Sequence, residues 1–404
     1  MSSHNFPVIT GMGAYCAGGE NLPLLWKNLL DKRIHLSFQQ LKKSALQVPV
    51  YAAKTPRFSG NSQRLVHRAD RSVALALAAA QEAWQASGLN SSCYEPSRIG
   101  VIIGSSRGPA AFHEQNILKE IKSPSSPVYG TFSSVAGIVS DVLCVEGSAL
   151  MVSSTCTSSA SALHLAGQMI RSGELDAVVV GGVDAPLVDF ILEQYVAARV
   201  LSQNNKLSPF DRDRSGTLLG EGAAFIILES KKFAERRNAV ILAELGGVVL
   251  RSYPGQRGSL DHEGASLQKV MAFLLQQAQL FSNEIDLLHL HGTGTRLNDL
   301  IESRAVEAIF GKPLDQPIAW ATKAITGHTL GASSLFQVVL SVQSLIHSHI
   351  SETVNCEDLD PACSLRLHHG APIMQPIKNA LCLTSGFWGN VAGIVLKKVE
   401  GLRG

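Results

Sequence analysis

The 404-residue chain predicts an α/β fold in which central sheets are covered by helices. Three observations carry that expectation. Short β-branched, apolar runs bounded by glycine recur along the chain. Apolar helical patterns lie between them. The two kinds of segment alternate from end to end. Nearly continuous apolar runs this short suit strands buried on both faces, whereas a half-exposed strand would alternate apolar with polar positions.

Taken in order, PVIT at 7–10 opens as a strand. Residues 71–87 are rich in alanine and leucine, strong helix formers, and predict a helix. VIIG at 101–104 and ALMV at 149–152 predict strands. Residues 156–172 then begin with small polar side chains and continue as an apolar helix that Gly173 stops. AVVVGG at 177–182 and FIIL at 225–228 are further strands. Residues 264–279 predict a helix, LLHLHG at 287–292 a strand entering a turn, and 333–347 another helix. ALCL at 380–383 and AGIVL at 392–396 complete the strands. The two halves share a rhythm of extended run, small-residue turn and apolar helix, which hints at a duplication. The polar connector at 231–238 puts its division near 235–245. One large α/β domain fits the same periodicity.

Composition narrows the function. With 35 basic and 33 acidic residues and 45% apolar content, the chain lacks both the charge excess of a disordered segment and the basic excess of a nucleic-acid binder. No apolar run approaches the roughly 18–20 residues of a membrane span, and no basic segment leads into an apolar signal core. Seven cysteines, an odd number with no Cys-x-x-Cys pair, suit neither a disulfide framework nor a structural zinc site. A reduced, cytoplasmic protein is the expectation.

Four segments carry chemistry. Cys156 lies in SSTCTSSASA at 153–162, between a strand and a helix. A thiol near a helix N-terminus is expected to ionise more readily, and small neighbours admit a substrate. The alternative is a buried structural cysteine. HGTGTRLND at 291–299 follows a strand and puts His291, Thr293 and Thr295 on a glycine turn, although His289 or His291 could be purely structural. TKAITGHTLGA at 322–332 holds Lys323 and His328 around a glycine turn, where a nearby helix start favours a neutral, hydrogen-bond-donating imidazole. TSGFWGN at 384–390 predicts a mobile aromatic loop beside a site, or else a plain turn with packed aromatics. One thiol with two imidazoles does not suit a thiol protease, which needs one base and one orienting group. It suits holding an acyl group on sulfur while stabilising the enolate of a second substrate.

In this order and spacing, with VITGMG at 8–13 and PFDRDRSGTLLGEGA at 209–223, these motifs resemble the β-ketoacyl-acyl carrier protein synthases, decarboxylating condensing enzymes of the ketosynthase II type. The resemblance covers nearly the whole chain. It implies a thiolase-like fold: duplicated α/β halves in a five-layer α-β-α-β-α sandwich, with residues 1–238 carrying the cysteine and 239–404 the two histidines and the gating loop. It implies Cys156 as acyl acceptor, His291 and His328 as decarboxylation and enolate-stabilising groups, and Lys323 as their electrostatic support. The Cys156 and Phe387 N–H groups would form the oxyanion hole, Phe387 would gate the site, and Thr293 and Thr295 would contact pantetheine. Asp299 and Glu302 would be structural acids. Arg64, Arg68 and Arg199 match a docking patch for the acidic acyl carrier protein, with solvated surface arginines as the alternative. Neither metal nor bound cofactor is implied. Residues 130–155 match the family's dimer interface, for a homodimer or a heterodimer with a related subunit.

Three departures from the family pattern stand out. The glutamate that partners the active-site lysine falls at Gln337, which predicts altered electrostatics around Lys323. The usual Gly-Phe-Gly-Gly gate reads GFWG at 386–389, so Trp388 should restrict the loop. Residues 251–263 lack the family's usual Asp-Ala-x-His-x-Thr-x-Pro loop. Together they point to specialised secondary-metabolite or polyene synthesis rather than housekeeping fatty-acid elongation, and 295–303 with 326–332 is similar to aryl-polyene-type ketosynthases. Three other readings remain: a chain-length-factor-like partner subunit, which typically lacks the cysteine; a thiolase, whose second catalytic cysteine motif is not supplied around Cys382; and a malonyl-carrier-protein decarboxylase that does not condense.

Overall fold

The structure is a computed structural model that describes residues 6–42, 44–90, 94–118, 126–253 and 261–399. The first half of the chain contributes β1 (Pro7–Cys16), a peripheral pair β2 (Ser37–Gln40) and β3 (Gln47–Val50), then β4 (Ile99–Gly104), β5 (Ala149–Val152), β6 (Ala177–Asp184) and β7 (Gly222–Ser230). The second contributes β8 (Ala243–Ser252), β9 (Leu287–His289), β10 (Ile318–Trp320), a small pair β11 (His349–Ile350) and β12 (Ile373–Met374), then β13 (Asn379–Ser385) and β14 (Asn390–Lys397).

The main sheet runs β10-β9-β13-β14-β8-β1-β7-β6-β4-β5. Read outward from its centre, each half has the same order and the same strand directions. β4 is parallel to β5 and β6, while β7 is antiparallel to β6 and β1. β9 is likewise parallel to β10 and β13, while β14 is antiparallel to β13 and β8. The two half-sheets join where Val8 and Ile9 pair with Glu244 and Ala243. The duplication hinted at by the sequence is therefore repeated topology.

Two helices lie between the half-sheets. Ser158–Ser172 packs on β6, β4 and β8, and Ser333–His347 packs on β13, β7 and β14. Arg71–Ser87 covers the outer face of β1 and β7, and Ala265–Ala278 covers β8 and β14, with Arg296–Phe310 against it. This is the five-layer sandwich. Every residue of β1, β6 and β7 is buried, as strands covered on both faces require. Gly11 and Gly13 let β1 approach the outer helix, since a Cβ at either would collide with the Ala83 or Ala79 carbonyl.

The long apolar helical stretch Leu330–His347 would pass a compositional test for a membrane span, but 83% of it is buried inside the fold, so it is a core helix. The described cysteines are all free thiols. Of the loop that departs from the family at 251–263, residues 254–260 lie outside the described residues.

Candidate active site

β5 runs straight into a tight turn that presents Cys156. Thr155 adopts φ 56°, a left-handed conformation that is costly for a β-branched residue. Hydroxyls clamp the turn. Ser158 Oγ donates to the Thr155 carbonyl at 2.6 Å and accepts the Ser154 N–H at 2.9 Å, while Thr157 Oγ1 donates to the Ser154 carbonyl at 2.7 Å. The small polar residues that opened the predicted helix thus serve the turn, and the helix itself starts at Ser158.

Cys156 Sγ lies 3.4 Å from His328 Nε2, and Ser333 Oγ lies 3.2 Å from His328 Nδ1. The His291 and His328 rings meet edge to face, with centroids 5.3 Å apart. Lys323 Nζ donates to the His291 carbonyl and stands 3.3 Å from His291 Nδ1. Cys156, His291, His328, Thr293, Thr295 and Phe387 line one cavity of about 250 Å³. Its walls also include the Thr217 and Ser385 hydroxyls, which are buried without a hydrogen-bond partner among the described residues. Gly386 is needed where it stands: a Cβ there would collide with Thr155 Oγ1 and come within 3.3 Å of the Cys156 nitrogen. Gly386 therefore lies against the Cys156 amide. Phe387 is 48% exposed and Trp388 67%, so the aromatic pair stands out at the rim rather than packing into a turn.

Burial sets the electrostatics. It pushes both His291 and His328 well below the ordinary histidine range, and the Lys323 charge pushes the same way. Neutral imidazoles result, as the sequence led us to expect for His328, although desolvation rather than a helix start is the main cause. The expectation for Cys156 is reversed. Burial raises its thiol to about 12, outweighing the lowering effect of Lys323 and Arg107. Cys156 rests as a thiol, because a desolvated thiolate costs more than nearby positive charge returns.

Gln337 also needs correction as the lysine's missing partner. Its Nε2 donates to the carbonyls of His289 (3.1 Å), Leu290 (2.8 Å) and Leu383 (2.9 Å), and its Oε1 accepts from Thr384 Oγ1 at 2.6 Å. It ties together strand ends and makes no hydrogen bond to Lys323. The acid that raises the Lys323 pKa most is Glu302, whose carboxylate also accepts the N–H groups of His291 (2.5 Å) and Gly292 (2.9 Å). Burial pushes Glu302 up and Lys323 down, and their mutual attraction opposes both shifts. Asp299 is structural. It accepts the Phe210 N–H at 2.8 Å and stands 3.6 Å from the buried Arg214. His289 is the structural histidine of its strand, held between Ser341 Oγ and Thr322 Oγ1, each at 3.0 Å.

The donor atoms of Cys156, His291 and His328 lie within 4.8 Å of one another, a spacing a metal ion would accept, but the adjacent Lys323 ammonium repels a cation. Arg64 and Arg68 are exposed on the helix Gly60–Arg68, and Arg199 is exposed next to Val200, a cavity residue. None of the three arginines lines the cavity itself. Sequence reasoning missed Asp184, Ser333, Tyr195 and Arg107. Asp184 is buried, raised to about 6 by desolvation, and binds Ser105 Oγ and the N–H groups of Ser106, Arg107 and Gly331. The only sequence signal for it was a polar residue ending an apolar strand.

A thiol and two neutral imidazoles on one apolar cavity, with a buried ammonium behind them, have the chemistry that thiol-dependent acyl transfer requires. Comparison with known proteins agrees. Residues 7–234 match the beta-ketoacyl synthase N-terminal domain and residues 242–357 its C-terminal domain, so the chain belongs to the beta-ketoacyl synthase family. It is 30% identical to the tetracenomycin polyketide synthase ketoacyl synthase alpha subunit of Streptomyces glaucescens, over 98% of both chains. It is 31% identical to nodulation protein E of Rhizobium leguminosarum bv. trifolii, over 90% of this chain and 92% of that one. Among solved structures it superposes with TM-score 0.90 and 25% identity on a chain of a type II polyketide synthase ketosynthase complexed with its acyl-carrier protein and bound to the hexaketide, covering 98% of this chain and 100% of that one.

Proposed function

We propose that this chain catalyses decarboxylative Claisen condensation in polyketide or polyene synthesis, joining a Cys156-bound acyl group to malonyl-acyl carrier protein. The observation that carries the reading is the single cavity holding Cys156 Sγ 3.4 Å from His328 Nε2, with His291 and Lys323 beside them. Membership of the beta-ketoacyl synthase family supports it.

The chemistry follows from the groups present. An acyl thioester on carrier pantetheine is attacked by Cys156. The new S–C bond forms, the pantetheine C–S bond breaks, and the thiol proton passes to the leaving pantetheine thiolate. Because the resting thiol is neutral, its proton leaves as the S–C bond forms, and the His328 Nε2–H 3.4 Å away donates to the sulfur as its charge develops. Malonyl thioester then enters, its carboxylate leaves as CO2, and the electron pair moves to the thioester oxygen as an enolate. An ammonium can only donate, so Lys323 donating to Nδ1 leaves the neutral His291 proton on Nε2. Ser333 donating to His328 Nδ1 does the same for His328. Both Nε2–H groups then hydrogen-bond the enolate oxygen. The enolate carbon attacks the acyl carbonyl, and the Cys156 and Phe387 N–H groups receive the oxyanion before the thiolate departs and is reprotonated. The product is a β-ketoacyl thioester two carbons longer.

Thr293, Thr295 and the unpaired Thr217 and Ser385 hydroxyls supply partners for the amides of the pantetheine arm. Arg64, Arg68 and Arg199 dock the acyl carrier protein, and Phe387 with Trp388 gates the mouth. The chain divides at 238/239 into a cysteine-bearing half and a histidine-bearing half, and it works in the cytoplasm. It pairs through the free edge of β5, where Leu150 is exposed, with a second copy or a related subunit.

Intact-protein mass spectrometry with acyl- and malonyl-carrier proteins tests the reading, with Cys156→Ser alongside. A mass gain on Cys156 that malonyl-carrier protein discharges into a chain two carbons longer supports condensation. CO2 release without acyl loading points instead to a decarboxylase, and activity only with an added related subunit to a partner role.

A further inference from the structure

The catalytic cavity has a wall that the condensation leaves unused. Tyr195 lines it beside Cys156 and is buried. Arg107 lies against Tyr195: its guanidinium carbon is 5.7 Å from the ring centroid and its Nη2 is 3.4 Å from the hydroxyl. Arg107 in turn lines a second cavity of about 520 Å³, whose walls include the exposed apolar side chains of Ile117, Leu118 and Phe190. The Tyr195–Arg107 pair is thus the boundary between the cysteine's cavity and a larger, mainly apolar one.

Arg107 is positioned rather than loose. Its backbone N–H donates to the buried Asp184 carboxylate at 2.9 Å, and the same carboxylate accepts the backbone N–H groups of Ser106 and Gly331, which links this loop to the segment after His328. The guanidinium is close enough to influence the Cys156 thiol electrostatically. Among the described residues it forms no ion pair. The second cavity's acids are Glu114, Asp189 and Glu193; Glu114 accepts the Phe190 N–H (2.7 Å), Asp189 accepts the Lys42 N–H (2.9 Å), and none of the three is ion-paired with Arg107.

An acyl chain on Cys156 cannot share the side of the cavity that the pantetheine arm fills past Thr293 and Thr295. It extends toward Tyr195 and Arg107. A saturated chain there would strip water from a guanidinium and offer it no acceptor, which is unfavourable. A chain bearing oxygen acceptors would satisfy the same donors, and its apolar remainder fits the second cavity. We infer that Arg107 is a specificity-determining residue that selects acyl groups carrying keto or carboxylate oxygens over saturated chains of equal length. This rests on Cys156 being the acyl acceptor, as proposed above.

The test is acylation of Cys156 by hexanoyl, 3-oxohexanoyl and adipoyl N-acetylcysteamine thioesters, followed by intact-protein mass, in wild type, Arg107→Met and Arg107→Lys. In each reaction the Cys156 S–C bond forms, the donor C–S bond breaks, and the thiol proton leaves on N-acetylcysteamine. Wild type should load an oxygenated donor about tenfold faster than hexanoyl, the size expected for a hydrogen bond to a charged donor. Preference for 3-oxohexanoyl over adipoyl identifies keto recognition, and the reverse identifies carboxylate recognition. Arg107→Met should bring the ratio of oxygenated to hexanoyl loading close to one, whatever the rate common to all three donors, while Arg107→Lys should keep part of the preference. The ratio of rates is insensitive to the folded fraction of a variant. Equal loading of all three donors by wild type, or an equal loss for all three in Arg107→Met, overturns this inference while leaving the acyl-acceptor role intact. No loading of any donor overturns both.

Discussion

Replacing Gln337 by glutamate is expected to destabilise the protein, and increasingly so as pH rises. The two amide hydrogens of Gln337 serve three buried carbonyls, those of His289, Leu290 and Leu383. A protonated glutamate offers one hydrogen, so at pH 5 about one hydrogen bond's worth of buried acceptor is lost, about 1–3 kcal/mol. An ionised glutamate offers none and points charge at three carbonyl oxygens. The folded protein therefore holds the new carboxyl protonated, well above the ordinary glutamate pKa of about 4.3. The folded state then binds more protons than the unfolded state, so stability falls by about 1.4 kcal/mol per pH unit until the folded group ionises. By pH 7.5 the total is about 5 kcal/mol or more. For a chain of this length that is a fall in Tm of about 5 °C, against about 1–3 °C at pH 5. Thermal unfolding of the variant and wild type at both pH values measures it. If residue 337 were instead a neutral stand-in for a lysine partner, glutamate would attract Lys323. An unchanged or raised Tm, or a loss independent of pH, would refute the argument.

The other predictions concern the cavity. Lys323→Met removes the charge that lowers His291 and His328, so their pKa values should rise and the acid limb of the condensation pH profile should move to higher pH, with kcat down roughly a hundredfold. Glu302→Ala strands the His291 and Gly292 N–H groups and leaves Lys323 uncompensated, and should cost about 3–5 kcal/mol, read as lost soluble yield and a lower Tm. Trp388 sits at φ 63°, so Trp388→Gly removes about 1–2 kcal/mol of backbone strain and opens the rim, giving faster acyl loading from bulky donors at an unlowered Tm. With the Cys156 thiol raised to about 12, its alkylation by iodoacetamide should climb about tenfold per pH unit from pH 7 to 10, and a plateau near pH 7 in site-resolved mass spectra would contradict that.

The fold was largely legible because its strands are buried on both faces and its helices are separated by glycine punctuation. VIIG and AVVVGG became β4 and β6, and the helices Arg71–Ser87 and Ser333–His347 have the bounds their composition predicts. LLHLHG was harder. Only Leu287–His289 forms a strand, because His291 and Gly292 turn away to give their N–H groups to Glu302. The motif residues converge for a topological reason: Cys156 follows β5 in one half, His328 follows β10, the strand in the matching place of the other half, and His291 follows β9 beside it.

The sequence by itself determined the alternation of strands and helices, the family, and the small set of residues able to do thiol and imidazole chemistry. Each of those is encoded locally, in runs of apolar side chains and short glycine-bearing motifs. Ionisation and partnership were decided only in three dimensions. A helix start suggested a thiolate at Cys156, but the fold buries the thiol and desolvation prevails. Alignment with the family made Gln337 the lysine's counterpart, but the fold gives Gln337 to three backbone carbonyls and places Glu302 across from Lys323. Arg107 and Tyr195, 88 residues apart in sequence, became a wall of the site only through tertiary contact. Burial and long-range pairing depend on what the rest of the chain brings alongside, and no local pattern of residues records that.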